Sequence, residues 1–224
     1  MNYWQDFLSG EVYHVYSRTI AKEACFSEKH PEHAQQFLSY IKRNLAHYVD
    51  FYAYALIPNH FHFIIRVRPE ENIPKAIIAK EQTKISERYL AGEISYSTFL
   101  IDQFKRSLQS FSMFYNRKTG RTGSLWQKRF KRIQLVHPAR IVYGIAYVHH
   151  NEIHHLKKSG YGLWKWSSYK ALLSDRPTLI SRAACLDLFR HHDRQCPKEA
   201  FLEYHKNFKL DSASEDFGDF DDCG

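Results

Sequence analysis

The chain has 224 residues, enough for one domain with a hydrophobic core and too few for several independent domains. Hydrophobic residues make up 44% of it and aromatic residues 16%, which excludes a wholly disordered chain. The formal net charge is +8, and residues 211–224 hold six carboxylates and no lysine or arginine, so the other 210 residues carry 32 basic against 18 acidic side chains. This surplus favours polyanionic partners, although charge alone fits a merely basic protein equally well.

The sequence lacks the features of membrane and secreted proteins. No stretch approaches the roughly 18 uninterrupted apolar residues of a membrane span, and the first ten residues lack the order of a signal peptide. We therefore expect a cytoplasmic protein with no membrane partner. The cysteines are widely scattered and form no CxxC pair, so we expect free thiols. They are Cys25, Cys185, Cys196 and Cys223.

The first part of the chain predicts a strand, a helix and a strand pair. Residues 11–17 mix β-branched and aromatic residues, which is typical of a strand. Apolar residues recur at helical spacing over residues 31–48. Residues 50–57 and 60–67 are two strand-like runs joined by the turn at residues 58–59, and we expect them to pair antiparallel.

The next part predicts further helices around a basic strand. Residues 70–117 are rich in helix formers and predict one or two helices, with a break near residues 91–93 and an end at residues 118–120. Residues 125–136 predict a strand that carries many basic groups. A helix follows over residues 138–151.

The element order β-α-β-β-α-β-α predicts an α+β fold. It indicates a ferredoxin-like sandwich, with one central antiparallel sheet and helices packed on a single face. We expect this main domain to span residues 1–173. A small helical appendage is predicted over residues 174–210, and the acidic tail over residues 211–224 is expected to be disordered.

A His-Phe-His sequence lies in the strand predicted over residues 60–67. Side chains alternate between the two faces of a strand, so His60 and His62 project to one face and the neighbouring phenylalanines to the other. Two imidazoles on one rigid strand can chelate a divalent metal ion. A chance pairing is the alternative, because the chain has 14 histidines.

Tyr147 and Asn151 lie four residues apart in the predicted helix 138–151 and therefore share one face. A tyrosine hydroxyl can attack phosphorus to form a phosphotyrosine, which conserves the energy of the broken phosphodiester for rejoining. The asparagine amide oxygen can add a neutral ligand to a metal that polarises the scissile phosphate. A packing role for the tyrosine is the alternative, because the chain has 15 tyrosines.

Three segments, PNHFHFII, YVHHN and WKWSSY, occur in this order and resemble the REP-associated tyrosine transposases, relatives of the single-tyrosine HUH transposases of insertion sequences. The resemblance covers about residues 10–173. It implies that His60 and His62 bind Mg²⁺ or Mn²⁺ and that Asn151 completes the metal site. It also implies that Tyr147 becomes joined to a 5′ phosphate and leaves a free 3′ hydroxyl. Relatives act on single-stranded DNA, either as monomers or as homodimers.

Two features depart from the family pattern. Glu152 stands where the family usually has a proline, and it could change the exit of the helix or offer an extra carboxylate near the metal. The segment 70–117 is longer than the family's, which affects DNA specificity rather than chemistry. His149 matches a histidine often seen in the family, with a structural or a phosphate-contacting role, and His150 follows it.

The basic strand combines phosphate-binding cations with an aromatic ring that could stack on unpaired bases. Solvated charges on an edge strand are the alternative. The candidate DNA-binding residues are Trp126, Lys128, Arg129, Lys131 and Arg132. The aromatic residues Trp164, Trp166 and Tyr169 could also stack on bases or close the core, and we expect the core for at least one of them.

The function that this resemblance implies is a metal-dependent single-stranded DNA endonuclease and strand transferase, a transposase that cleaves hairpin-associated DNA through a 5′-phosphotyrosine intermediate. A domesticated protein that binds DNA hairpins without cutting them is the alternative. A metalloprotease or a structural zinc protein fits less well, because the HExxH motif is absent and the cysteines are not paired for zinc.

Overall fold

Four antiparallel strands form the sheet on which the other elements pack. The computed structural model describes residues 2–190 and 196–209, and the strands lie in the order β2-β3-β1-β4. With helices inserted after β1 and after β3, this is the ferredoxin-like arrangement, and the predicted α+β fold class is confirmed. The strands are Val12–Arg18 (β1), Val49–Ile57 (β2), His60–Val67 (β3) and Lys131–Gln134 (β4).

The longest helix has a cap at each end that the local sequence supplies. In the longest helix, the Ser95 side chain accepts a hydrogen bond from the Thr98 backbone, and Gly120 ends the helix in the left-handed conformation that glycine adopts at low cost. The α-helices of the described residues are Pro31–Leu45 (α1), Lys75–Ala79 (α2), Lys84–Leu90 (α3), Tyr96–Thr119 (α4), Pro138–Leu156 (α5), Tyr169–Leu173 (α6), Arg182–Asp187 (α7) and Pro197–Asn207 (α8).

One face of the sheet is aromatic and is covered by α1 and α4. Phe37 of α1 lies 5.2 Å from Phe61 of β3 and 5.1 Å from Phe111 of α4, measured between ring centroids. All three rings are fully buried. This aromatic core holds β3 rigidly in the centre of the sheet, because large rings that interlock in this way leave the strand little freedom.

The opposite face of the sheet is covered by α5, which packs against β2 and β3. Tyr147 of α5 lies 6.2 Å from His62 of β3, again between ring centroids. The sequence predicted all helices on a single face, and this part of the prediction is corrected. Helix α5 follows β4, outside the β-α-β-β-α-β unit, and it covers the face that α1 and α4 leave open.

Several predicted boundaries also change. The basic strand predicted over residues 125–136 is reduced to β4, because residues 125–130 form a loop whose apolar side chains enter the aromatic core. The helix predicted over 138–151 continues to Leu156. Segment 70–117 forms three helices, and the predicted break near residues 91–93 separates α3 from α4.

The C-terminal residues pack onto this body. Ser181 donates its backbone N–H to the carbonyl of Phe51 in β2, and Phe201 of α8 is fully buried in the same hydrophobic core as the sheet. The predicted thiols Cys25, Cys185 and Cys196 are free, while Cys223 and the acidic tail lie outside the described residues. In the part of the chain that the structure describes, no helix is long and apolar enough to span a membrane.

Candidate active site

His60 and His62 lie on the face of β3 that α5 covers. Their exposed fractions are 2% and 0%, and their ring centroids are 5.1 Å apart. In the strand register His62 lies opposite Tyr16 and His60 opposite Arg18. The structure therefore brings the two predicted metal ligands together, on the strand that the aromatic core immobilises from behind.

Each of these histidines has its Nδ1 atom held by a neighbour. His60 Nδ1 donates to the amide oxygen of Asn59 at 2.7 Å, because that oxygen can only accept. His62 Nδ1 lies 2.8 Å from Nε2 of His14. When Nδ1 carries the proton in both rings, Nε2 carries the lone pair, which is the arrangement that outer-shell partners impose on metal-binding histidines.

His14 is a site residue that the sequence analysis missed. It lies in β1, is fully buried, and its ring stacks at 5.1 Å on that of His62. The alternation of the predicted strand 11–17 already indicated that His14 and Tyr16 share a face. What the sequence could not indicate was that β1 would pair with β3 in a register that joins His14 to His62.

Burial keeps these imidazoles neutral. It lowers the pKa of His14 to about 3, and it lowers the pKa values of His60 and His62 well below the usual value. The positive charge of Arg18 and the proximity of His155 lower the pKa values of His60 and His62 further. Neutral imidazole is the form that binds metal ions, so the environment favours ligation over protonation.

One face of α5 lies along this histidine pair. Tyr147 packs beside His62 with a ring separation of 6.2 Å, and His155, two turns later, packs beside His60 at 4.7 Å. Asn151 is midway between them at helical spacing, so its side chain faces the stretch of β3 that holds both histidines. His155 was not predicted, because the helix was expected to end at Asn151.

The Asn151 amide has the properties expected of a buried metal ligand. It is fully buried, and neither its oxygen nor its nitrogen has a hydrogen-bond partner in the structure. A buried amide without partners costs about 1–3 kcal/mol, which proteins avoid unless the group has another use. Two imidazoles and an amide oxygen fit a divalent ion such as Mn²⁺, so the residues present match the predicted donor set.

Tyr147 is itself buried, with 1% of its surface exposed. A ligand would therefore reach its hydroxyl only after a local opening. Tyr16 shares its surroundings, since the ring of Tyr16 lies 5.7 Å from His62. Burial raises the pKa of Tyr16, and Tyr3 and Tyr147 raise it further. Tyr16 is therefore a second hydroxyl beside the histidines, which the sequence analysis did not single out.

The other polar residues of α5 have structural partners. His149 is fully buried, with Nδ1 at 2.9 Å from His205 and Nε2 at 2.9 Å from the Ser168 hydroxyl. His150 Nδ1 lies 2.8 Å from the carbonyl of Ala146. Their bonding partners lie in α5 itself and in the C-terminal part of the chain.

Glu152 lies inside α5 and not at its exit. It is buried, and its carboxylate accepts backbone N–H groups of Gly162 and Trp164. It therefore anchors the loop that follows the helix, and this use of its oxygens does not support a role as an extra metal ligand. Burial raises its pKa, and the hydrogen bonds from the loop oppose that rise.

The predicted DNA-binding residues fall into two groups. Lys128 and Arg129 are exposed, whereas Lys131 is half-buried with its ammonium over the rings of Tyr3 and Tyr16. Trp126 is buried in the aromatic core and donates its ring N–H to Leu108, and Arg132 is buried and donates to the carbonyls of Gln5 and Trp4. These bonds give Trp126 and Arg132 structural partners, and their contact with DNA stays a prediction.

The predicted stacking residues behind the site close the core. Trp164 and Trp166 are buried and donate their ring N–H groups to the carbonyls of Leu56 and Ser27, and Tyr169 is buried beside His149. All three side chains are therefore part of the core, and at least one of them was predicted to be.

A cavity of about 840 Å³ lies away from the histidines, between α4 and the loop before β4. The exposed basic residues Lys105, Lys128 and Arg129 line it together with Trp4, which is 46% exposed. No acidic residue lines it among the described residues. It is a groove suited to a polyanion with unpaired bases, and neither the two histidines nor Tyr147 or Asn151 line it.

A different cluster offers three closely spaced metal-binding atoms. In the described part of the chain, only His30, Glu32 and His33 bring three histidine, cysteine or carboxylate donors within 4.8 Å of one another. His33 packs against Phe114 of α4, on the aromatic side of the sheet. Tyr115 of α4 also packs beside His33, with ring centroids 5.2 Å apart, and two of the three residues of the cluster are exposed.

Comparison with known proteins gives a structural relative. No family model matches the chain, and no curated protein sequence matches it. A solved structure described as a REP-associated tyrosine transposase bound to a REP hairpin matches with a TM-score of 0.54. The match covers 79% of this chain and 88% of that one, at 11% sequence identity. The two chains share a fold. At this identity the likeness carries no residue roles, so the site is argued from its own geometry.

Proposed function

We propose that the protein is a metal-dependent, single-stranded-DNA-cleaving transposase that acts on hairpin-associated DNA through a 5′-phosphotyrosine. In this proposal Tyr147 is the nucleophile, and His60, His62 and Asn151 hold Mg²⁺ or Mn²⁺. Single-stranded or hairpin DNA is the partner, as the described relative, which is bound to a REP hairpin, suggests.

The observation that carries the proposal is the buried Asn151 amide, which lacks hydrogen-bond partners. It lies on the helix face between Tyr147, which packs on His62, and His155, which packs on His60. A helix that served only to close the core would have an apolar residue at this position. An amide at this position is explained if its oxygen binds the same metal ion as the two histidines.

Tyr147 would perform the covalent step. Its hydroxyl oxygen attacks the phosphorus, and the new oxygen–phosphorus bond forms as the bond from phosphorus to the 3′ oxygen breaks. The phenolic proton is lost to solvent, and the departing 3′ oxygen takes up a proton. The 5′ phosphate remains on the protein as a phosphotyrosine, and a 3′ hydroxyl can later attack it to rejoin the strand.

The remaining residues orient these groups. A bound divalent ion supplies charge that polarises the scissile phosphate. Asn59 and His14 hold the Nδ1 atoms of His60 and His62, which turns both Nε2 atoms to ligation. Burial keeps the imidazoles neutral, so they stay available as ligands at neutral pH.

The DNA strand would follow the basic groups outside the sheet. Lys128, Arg129 and Lys131 remain the candidate phosphate contacts, and the groove beside α4 offers the exposed ring of Trp4 for stacking. Arg129 lies over the Trp4 ring at 5.9 Å, so cation and aromatic surface are already combined there.

A second candidate function is hairpin binding without cleavage. The burial of Tyr147 favours it, because a nucleophile with 1% exposure needs an opening before any phosphate reaches it. The relative of known structure is described only as bound to its hairpin, which fits either function.

A covalent-adduct assay distinguishes the two functions. Labelled single-stranded hairpins from the DNA that flanks the gene are incubated with the protein and Mg²⁺ or Mn²⁺, and products are separated on a denaturing gel. The transposase proposal expects a metal-dependent protein–DNA adduct that EDTA suppresses. If no hairpin gives an adduct with either metal while binding persists, the non-cleaving function replaces it.

A further inference from the structure

A solvent-open pocket of about 300 Å³ lies at the end of the strands next to the candidate active site. It is separate from the basic groove beside α4. His60 forms part of its wall, so the pocket reaches one of the candidate metal ligands. Among the described residues, its charged or titratable lining side chains are Arg18, Lys22, His60 and His155, and none is acidic.

The two cations reach the pocket from β1 and the turn that follows it. Arg18 lies opposite His60 in the strand register, and Lys22 is exposed at the rim. The nearest carboxylate in the sequence, Glu23, is engaged elsewhere. Its oxygens accept the Tyr115 hydroxyl at 2.6 Å and lie 4.0 Å from Arg121. Among the described residues, the contacts of the Glu23 carboxylate are therefore with Tyr115 and Arg121, neither of which lines the pocket.

The turn that carries Lys22 is held in an unusual backbone conformation. Ala21 and Lys22 both have φ of 55°, in the left-handed region that costs a non-glycine residue about 1–2 kcal/mol. The turn is braced over the β2–β3 hairpin, because Thr19 donates its hydroxyl to the carbonyls of Glu23, at 2.8 Å, and Asn59, at 3.1 Å. Strain that the surroundings maintain at a pocket rim is a recognised mark of a functional position.

We propose that this pocket binds a phosphate of the DNA strand, beside the phosphate that is cleaved. Arg18 and Lys22 supply the charge, and His155 and Asn59 are hydrogen-bonding groups in the wall. The planar guanidinium of arginine can donate two hydrogen bonds to two oxygens of one phosphate, and lysine acts as a point charge. The inference rests on the proposed function, because it takes the ligand to be a DNA strand that passes His60.

Thymidine 3′,5′-bisphosphate tests the pocket without cleavage and without metal. The protein is titrated with this probe in EDTA, and the imidazole resonances of His60 and His155 are followed by NMR. We expect both rings to shift with the probe, and the dissociation constant to rise roughly ten-fold in Arg18→Gln and in Lys22→Gln. The matched control is Lys29→Gln, an exposed lysine outside the pocket lining, which should bind as the wild type does.

The outcomes separate this inference from the proposed function. If the two rings do not shift, or if all three variants bind the probe as the wild type does, the pocket assignment is overturned, even when the wild type forms a DNA adduct. If the probe binds as expected but no adduct forms, the pocket stands and the cleavage proposal fails. Lys22 is exposed, so Lys22→Gln keeps the test valid if Arg18→Gln does not fold.

Discussion

Two faces of helix α5 both carry buried polar residues, but the side-chain hydrogen bonds are complete on one face, whereas the Asn151 amide lacks them on the other. On one face, His149 and Glu152 are buried and every polar atom of their side chains has a partner. On the other face, Asn151 is equally buried and its amide has no hydrogen-bond partner. A buried polar group whose hydrogen bonds are complete stabilises the fold, whereas a buried polar group without them costs stability and fits a role in binding a ligand.

Glu152, which stands where the resembled family usually has a proline, lies on the face of α5 whose hydrogen bonds are complete. A proline at this position would remove a backbone donor from the helix and favour an end nearby. Glutamate lets α5 continue to Leu156 and anchors the following loop. Because the helix continues, His155 lies on the same face as Tyr147, where it meets His60 and the phosphate pocket.

The largest expected effect is on the nucleophile. Tyr147→Phe should reduce adduct formation on the order of 10³-fold or more, because only the attacking oxygen is lost and the ring still packs. Adduct yield on a denaturing gel measures this. Tyr16→Phe is the matched control, a buried tyrosine beside the same histidines, and should keep its adduct. Peptide mass mapping identifies the attached residue, and an adduct on Tyr16 or Tyr143 would show that the nucleophile is wrongly assigned.

The second largest expected effect is a loss of stability when the Glu152 carboxylate is removed. Glu152→Ala should lower the free energy of unfolding by about 2–4 kcal/mol, because the backbone N–H groups of Gly162 and Trp164 lose their acceptor in a buried place. Urea denaturation measures it. Glu152→Gln should recover part of the loss, because its amide oxygen still accepts. Equal stability of wild type and Glu152→Ala would contradict the anchoring role.

Acid should weaken the fold through the buried histidines. Burial lowers the pKa values of His14 and His205 from 6.5 to about 3. Below pH 6.5 each histidine stays neutral in the folded protein and binds a proton in the unfolded chain. Its contribution to the free energy of unfolding is therefore complete above pH 6.5 and is lost as the pH falls toward 3. The expected loss is up to about 1.4 kcal/mol per pH unit for each histidine. A free energy of unfolding that stayed constant between pH 7 and pH 5 would argue against neutral burial.

The smallest expected effect is a gain in stability. Asn151→Leu should raise the free energy of unfolding in EDTA by about 1 kcal/mol, because a buried amide without partners is replaced by an apolar group of similar size. The same variant should lose its metal-dependent adduct. If Asn151→Leu is less stable than the wild type without metal, the amide has partners that this account does not include.

The sequence predicted the elements that local patterns determine. Alternation placed His60 and His62 on one face of a strand, and helical spacing placed Tyr147 and Asn151 on one face of a helix. The side of the sheet that α5 covers, and the strand register that brings His14 to His62, depend on contacts between distant segments. Trp126 and Arg132 had the residue types of a DNA surface, and only the packing revealed that both are occupied within the protein.

The central claim is that a divalent ion binds between β3 and α5, beside Tyr147. The most direct test is a crystal of the protein soaked with Mn²⁺ and measured for anomalous scattering. The account predicts a peak within roughly 2.0–2.4 Å of Nε2 of His60, Nε2 of His62 and the amide oxygen of Asn151. A peak at His30, Glu32 and His33 alone, or an undisturbed Asn151 with no peak beside it, would contradict the account.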